Sequence, residues 1–285
     1  MDYSEKYIDT NGIRLHVIEA GPRLGVPVIL LHGFPEFWYG WRKQIPALAQ
    51  AGYRVIVPDQ RGYNLSDKPG GIRSYRLTEL AADILGLIDA FDYEKVNLAG
   101  HDWGAMVAWS LAMRWPERFH RLGILNGPHP AVMAKFWLNS LEQIRRSLYV
   151  LFFQLPWLPE NSLRADHWRG LTLAMRGSGR MHTFTNGDMK KYREAWSRPG
   201  ALTAMLNWYR ALPLNYPLLN GKSRISVPTL ILWGLKDAAL THRMARPSVD
   251  YCDDGKLILF PDDTHWVQHE AADEVNRLLI EFFRN

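Results

Sequence analysis

The stretch NLAGHDWGAMVAW sets a carboxylate, Asp102, between a short apolar run and a segment of helical spacing, with Gly100 and Gly104 on either side. Glycines there suit a sharp strand-to-helix turn, in which the backbone is strained and bulky neighbours clash. Such an elbow presents its central residue as a nucleophile. The helix that follows points its N-terminus at the turn, where its dipole favours an anion. An aspartate ahead of a helix is equally an ordinary N-cap, so the chemistry has to be argued from partners. Asp237 follows an apolar run in LILWGLKDAAL, and His265 follows the next run in LILFPDDTHW. Asp262 and Asp263 share that last loop and read as residues that cap or solvate the turn. In LLHGFPE, His32-Gly33-Phe34-Pro35 follows the first buried run. The backbone N–H groups of Phe34 and Trp103 would there form an oxyanion hole. Pro35 has no N–H and stiffens the turn; the isomer of the Phe34–Pro35 bond is open at this stage.

A serine in the elbow would attack an acyl carbon and would need a base to take its proton. A carboxylate needs no such help. It displaces a leaving group from a tetrahedral carbon and becomes an ester. That ester is itself an acyl compound, so His265, oriented by Asp237, can activate water against the Asp102 carbonyl. Two leaving groups suit this chemistry. A halide wants soft donors such as indole N–H groups, and the oxygen of an epoxide wants acidic O–H donors such as tyrosine.

The elements that must position these groups follow from periodicity. KYIDTNGIRLHVIEAG reads as a hairpin turning at Asn11-Gly12. VPVILLHG, YRVIVPD, KVNLAG and RLGILNG are short apolar runs suited to buried parallel strands. Helical spacing covers 77–91, with Thr78 as a cap, and 104–115. This alternation predicts an α/β fold with a mostly parallel central sheet flanked by helices. From Pro128 the β-branched runs stop, and Trp, Leu, Met, Arg and Gln recur at helical spacing, with a loop at 176–188. Strand grammar resumes with VPTLILWG and KLILFP, and HEAADEVNRLLIEFFR closes the chain as a helix. The expected organisation is a core of 1–127 and 221–285, interrupted by a helical cap of 128–220. The order nucleophile, acid, histidine is that of α/β-hydrolases.

Six motifs, in order, carry a resemblance that covers nearly the whole chain: HGFPE, GHDWGA, the YxxxFQxP-like stretch 149–156, NWYR, WGLKD and DTHW. The chain resembles the α/β-hydrolase-fold epoxide hydrolases. By that resemblance Asp102 is the nucleophile, and Asp237 and His265 form the charge pair. Tyr149 and Tyr209 would be the ring-oxygen donors; by pattern alone each is an amphipathic packing residue of the cap. PDQRGYNLSD also matches, with Asn64 where glycine is common, a substitution that a left-handed conformation tolerates. Phe34, Trp103, Phe153 and Trp208 are the aromatic residues expected against a small apolar epoxide, with water as the second reactant.

The rivals are a haloalkane or haloacid dehalogenase with the same nucleophile, and a non-catalytic ligand receptor on the same fold. Trp103 offers one indole to a halide, and the insertion offers Trp137, Trp157, Trp168, Trp196 and Trp208 as a second. Phe34 offers no side-chain donor, and a haloacid would want an arginine where Trp103 stands. Of the other histidines, His101 reads as ordering the elbow and His32 as bonding the loop backbone; His129 and His269 have no partner legible in sequence. No ligand-spaced cluster suggests a metal, and no motif suggests a cofactor.

The 285 residues hold one cysteine, Cys252, so no internal disulfide forms and a reducing compartment fits. The N-terminus lacks a signal-peptide core, and no apolar run is long enough to span a membrane, so the cytoplasm is the expected location; detoxification is one role the resemblance implies, with catabolism and signalling-lipid turnover left open. Net charge is +5, with twelve Lys/Arg against five Asp/Glu between 128 and 220. These cations are scattered among apolar residues, which argues for a solvated helical surface and against nucleic acid. Assembly into a homo-oligomer is left open.

Overall fold

The computed structural model of the protein describes residues 3–215 and 224–284. Among the described residues eight strands form one sheet: β1 (Ser4–Thr10), β2 (Ile13–Ala20), β3 (Pro27–Leu31), β4 (Arg54–Pro58), β5 (Val96–His101), β6 (Phe119–Leu125), β7 (Thr229–Gly234) and β8 (Gly255–Phe260). Their order is β1-β2-β4-β3-β5-β6-β7-β8. Strand β2 runs antiparallel to β1 and β4, and the neighbours from β4 to β8 are parallel. The β1–β2 hairpin turns at Asn11 and Gly12, with φ of 46° and 73°. That is the backbone a two-residue primed turn requires.

Helices α1 (Gln44–Gln50), α2 (Leu77–Ala90) and α3 (Trp103–Arg114) connect the first parallel strands. The apolar runs sort by the two-residue period of a strand. Val28 and Leu30 join the core on one face, and Ile29 and Leu31 the core on the other. A strand covered on both faces has no polar side to show, which is why these segments read as unbroken apolar runs. Helix α2 begins one residue before Thr78, the expected cap. Arg76 occupies the N-cap without a side-chain bond, and the Leu77 N–H donates to Asn215 Oδ1 at 2.9 Å. A residue far along the chain thus does what a local cap was expected to do.

Between β6 and β7 lie α4 (Pro130–Asn139), α5 (Leu141–Arg146), α6 (Leu148–Phe153), α7 (Leu158–Gly177), α8 (Asn186–Trp196), α9 (Ala201–Arg210) and α10 (Leu212–Asn215). Helix α7 is two helical segments joined across non-helical backbone at Ala165–Trp168. Helix α8 starts on a capping box, with Thr185 and Asp188 bonding each other's backbone N–H. The insertion is therefore the helical cap the sequence indicates; its expected end at 220 lies outside the described residues. Helices α11 (Ala245–Val249), α12 (Val267–Glu270) and α13 (Ala272–Arg284) complete the core. Among the described residues no helix is long and apolar enough to cross a membrane.

Candidate active site

The carboxyl ends of parallel strands converge on one edge of such a sheet, and ligand chemistry collects there. Phe34 follows β3, Asp102 follows β5, Asp237 follows β7 and His265 follows β8. Asp102 has φ 53° and ψ −117°, a left-handed backbone that only surrounding structure can hold in place. The glycines permit it. A Cβ on Gly104 would lie 2.1 Å from the Leu31 carbonyl oxygen, and one on Gly100 would lie 2.3 Å from that of Gly104.

The Asp102 side chain makes no cap bond to its own helix. Its Oδ1 instead accepts from the Phe34 N–H at 2.8 Å, so the ordinary N-cap reading fails. Its Oδ2 lies 3.6 Å from His265 Nε2, beyond a direct hydrogen bond. On the other side of the ring, His265 Nδ1 donates to Asp237 Oδ2 at 2.7 Å. Asp237 is saturated. Its Oδ1 accepts from the N–H groups of Ala239 and Leu240, at 2.8 and 2.9 Å, and its Oδ2 also accepts from Asn126 Nδ2 at 2.7 Å. Burial raises the Asp237 pKa, but the charge and hydrogen bond of His265 and its remaining donors outweigh it and hold the group below its ordinary value. Burial lowers the His265 pKa, yet Asp237 foremost, then Asp102 and Glu36, raise it to about 9. The imidazole is therefore protonated at neutral pH while Asp102 is free.

Tyr149 on α6 and Tyr209 on α9 face Asp102 across a cavity of about 50 Å³. Their ring centroids are 5.9 Å apart. The Tyr209 hydroxyl interacts with that of Tyr149, and the Trp103 side chain with that of Tyr209. Burial raises both phenol pKa values, and the nearby Asp102 charge adds to the shift, so both hydroxyls keep their protons as donors. Trp103, Met106, Met133, Trp137 and Val150 line this cavity and also a larger one of about 450 Å³, whose walls reach Leu77, Leu138 and Leu151. The walls are apolar except near Asp102, Tyr149, Tyr209, Ser147, Gln154 and Asn215.

Of the four aromatic residues expected to contact a ligand, Trp103 lines both cavities. Phe34, Phe153 and Trp208 do not appear in either wall. Phe34 and Phe153 place their rings 5.2 and 5.0 Å from that of Tyr209, and Trp208 is fully buried, its indole donating to the Arg61 carbonyl. Trp208 therefore braces Trp103, at 5.6 Å, instead of facing the cavity. Three of the other four insertion indoles are similarly committed. Trp137 donates to Ser147, Trp168 to Ser197 and Trp196 to the Pro35 carbonyl, while Trp157 is largely exposed. Among the described residues, the insertion tryptophan that lines the cavity is Trp137, and its N–H is already given to Ser147.

Several site residues were not legible. Asn126, with φ 41°, donates to Asp237 and accepts from the Gly234 N–H, tying the ends of β6 and β7 together. Its signal was an Asn-Gly pair ending a buried run. Glu36, the last letter of HGFPE, is buried and accepts from Tyr192 (2.5 Å), Gln268 (3.1 Å) and His269 (2.8 Å). Burial raises its pKa, but His269 and His101 hold it well below the ordinary value. His269 thus has a partner after all, as does His129, which accepts from the Ala131 N–H and stacks on Tyr251. His101 donates from Nε2 to the His265 carbonyl and accepts at Nδ1 from Gln268, so its side chain ties the elbow to the His265 loop and α12. His32 bonds the Gly33 carbonyl and the Gln60 N–H. Asp262 and Asp263 pair with Lys236 and Arg180. Asn64 takes φ 40°, and the Phe34–Pro35 bond is cis. Among the described residues no group of three or more His, Cys, Asp or Glu could hold a metal.

Residues 26–272 match the family model described as the alpha/beta hydrolase fold. The chain is 48% identical to the AB hydrolase superfamily protein YfhM of Bacillus subtilis, over 98% of each chain. It is 38% identical to Epoxide hydrolase 2 of Caenorhabditis elegans, over 99% of this chain and 80% of that one. The crystal structure of a Bacillus megaterium epoxide hydrolase in complex with an inhibitor superposes with a TM-score of 0.90 at 30% identity, covering 98% of this chain and all of that one.

Proposed function

Because this chain belongs to the epoxide hydrolases of the α/β-hydrolase fold, an enzyme family, we propose that it converts an epoxide to a vicinal diol through an ester on Asp102. The observation that carries this reading is the Asp102 carboxylate, held by a backbone N–H instead of capping its helix, facing two tyrosine hydroxyls across an apolar cavity. Asp102 Oδ2, the oxygen free of the Phe34 N–H, attacks a ring carbon. The C–O bond breaks, and Tyr149 and Tyr209 donate to the departing oxygen. Esterification removes the Asp102 charge that helps hold the His265 proton. His265 then sheds that proton, which balances the one taken up by the new alkoxide. Neutral His265 next takes a proton from water, and the hydroxide adds to the ester carbon. The oxyanion forms on Oδ1, where the Phe34 N–H already points and where the Trp103 N–H at the start of α3 is expected to assist. Collapse releases the second diol oxygen, which takes the proton of the nascent acid and leaves Asp102 ionised and His265 protonated, as at the start. The cavity walls suit a small apolar epoxide.

The test is direct. Purified protein is incubated separately with styrene oxide and a bromoalkane, and diol and bromide are quantified. Diol without bromide is expected; bromide without diol would return the site to dehalogenation. His265→Gln should form the ester but not hydrolyse it, so intact-mass spectra should show an adduct of substrate mass. Its absence, under conditions where the wild type turns over, would remove the two-step mechanism.

A further inference from the structure

Helix α5 of the cap is joined to the loop carrying Asp237 by a polar clasp. Gln143 is fully buried. Its Oε1 accepts from the Thr241 N–H at 3.0 Å, and its Nε2 donates to the Ala239 carbonyl and to Ser147 Oγ, each at 2.9 Å. Ser147 Oγ also accepts from Trp137 Nε1 at 2.9 Å, and Trp137 lines both cavities. One turn along α5, Arg146 donates to the Asp237 carbonyl. The stretch gripped by Gln143 is the one whose Ala239 and Leu240 N–H groups hold Asp237 Oδ1. A continuous path thus runs from the cavity wall, through Ser147 and Gln143, to the carboxylate that orients His265. A buried amide is costly unless every polar atom finds a partner, and here the partners on the core side are the backbone groups that fix the acid loop.

We propose that Gln143 is a positioning residue. It sets the cap in register with the 237–241 loop, so that Asp237 aligns His265 with the ester only when α5 is seated. Ring opening needs Asp102 and the two tyrosines, which Gln143 does not touch. Ester hydrolysis needs the His265–Asp237 pair, which it does. Loss of the clasp therefore slows the second step selectively. The inference rests on the two-step reading above.

The experiment is single-turnover rapid quench with styrene oxide, with adduct formation and decay followed by intact mass, on the wild type, His265→Gln, Gln143→Ala and Gln143→Glu. The glutamate is nearly isosteric, keeps the acceptor for Thr241 and loses both donated bonds, so it serves if the alanine variant fails to fold. In the Gln143 variants, adduct formation should stay within about 2-fold of wild type and decay should slow at least about 10-fold. At steady state kcat should fall with KM in proportion, leaving kcat/KM nearly unchanged. A merely structural role would lower both steps together. Decay at the wild-type rate, or equal slowing of both steps, overturns the proposal. If the Gln143 variants decay normally while His265→Gln traps the adduct, only this inference falls. If no variant forms an adduct, the two-step reading falls with it.

Discussion

Replacing the two tyrosines singly and together probes the first chemical step. Tyr→Phe keeps the ring and removes one O–H donor from an apolar cavity of about 50 Å³. A hydrogen bond to a charged group contributes about 1.5–3 kcal/mol net, or roughly 10- to 150-fold in rate for each hydroxyl aimed at the alkoxide. The two hydroxyls interact with one another, so after one is lost the other can still turn to the departing oxygen. Each single variant should therefore sit near the lower end of that range. Tyr209→Phe should cost more than Tyr149→Phe, because Tyr209 is almost wholly buried, packed edge-on against Phe34, Trp103 and Phe153 and held by the Trp103 side chain. The double variant leaves an alkoxide with no donor and should lose on the order of 10³-fold or more, beyond the product of the single losses. The assay is the single-turnover rate of ester formation, with thermal unfolding as a check that the cap is intact. A folded double variant within about 10-fold of wild type would refute the role given to the hydroxyls.

Other outcomes follow from the same geometry. With His265 raised from 6.5 to about 9, its ion pair stabilises the fold fully below pH 6.5, and the contribution drains away as pH rises through 9. The change is of the order of 3 kcal/mol, and thermal melts of wild type and His265→Gln should converge as pH approaches 10. Gly104→Ala forces a Cβ against the Leu31 carbonyl; denaturant titration should show a loss of about 3 kcal/mol or more, with ester formation falling because the elbow shifts.

Much of this protein was legible because the signals were local. Asn11-Gly12 turns where its type demands. The apolar runs became strands because a sheet covered on both faces leaves no polar side. Gly100, Asp102 and Gly104 carry the elbow's own steric requirements, and Asp237 and His265 were found because they follow strands that the pattern located. The resemblance added Tyr149 and Tyr209, which periodicity alone assigns to packing.

The sequence by itself therefore determined the sheet, the helical interruption and which strand end bears each group proposed to react. These follow from two-residue and 3.6-residue periods and from backbone limits on single residues. Only the tertiary structure decided the partners. Asn215 caps α2, Asn126 binds Asp237, Glu36 meets His269, and Gln143 grips the 239–241 loop, at separations of 138, 111, 233 and about 97 residues. It also turned Trp208 away from the cavity and gave its N–H to Arg61. A buried polar atom must find some partner, but which one depends on the backbone groups that packing brings within 3 Å, and no local pattern records that.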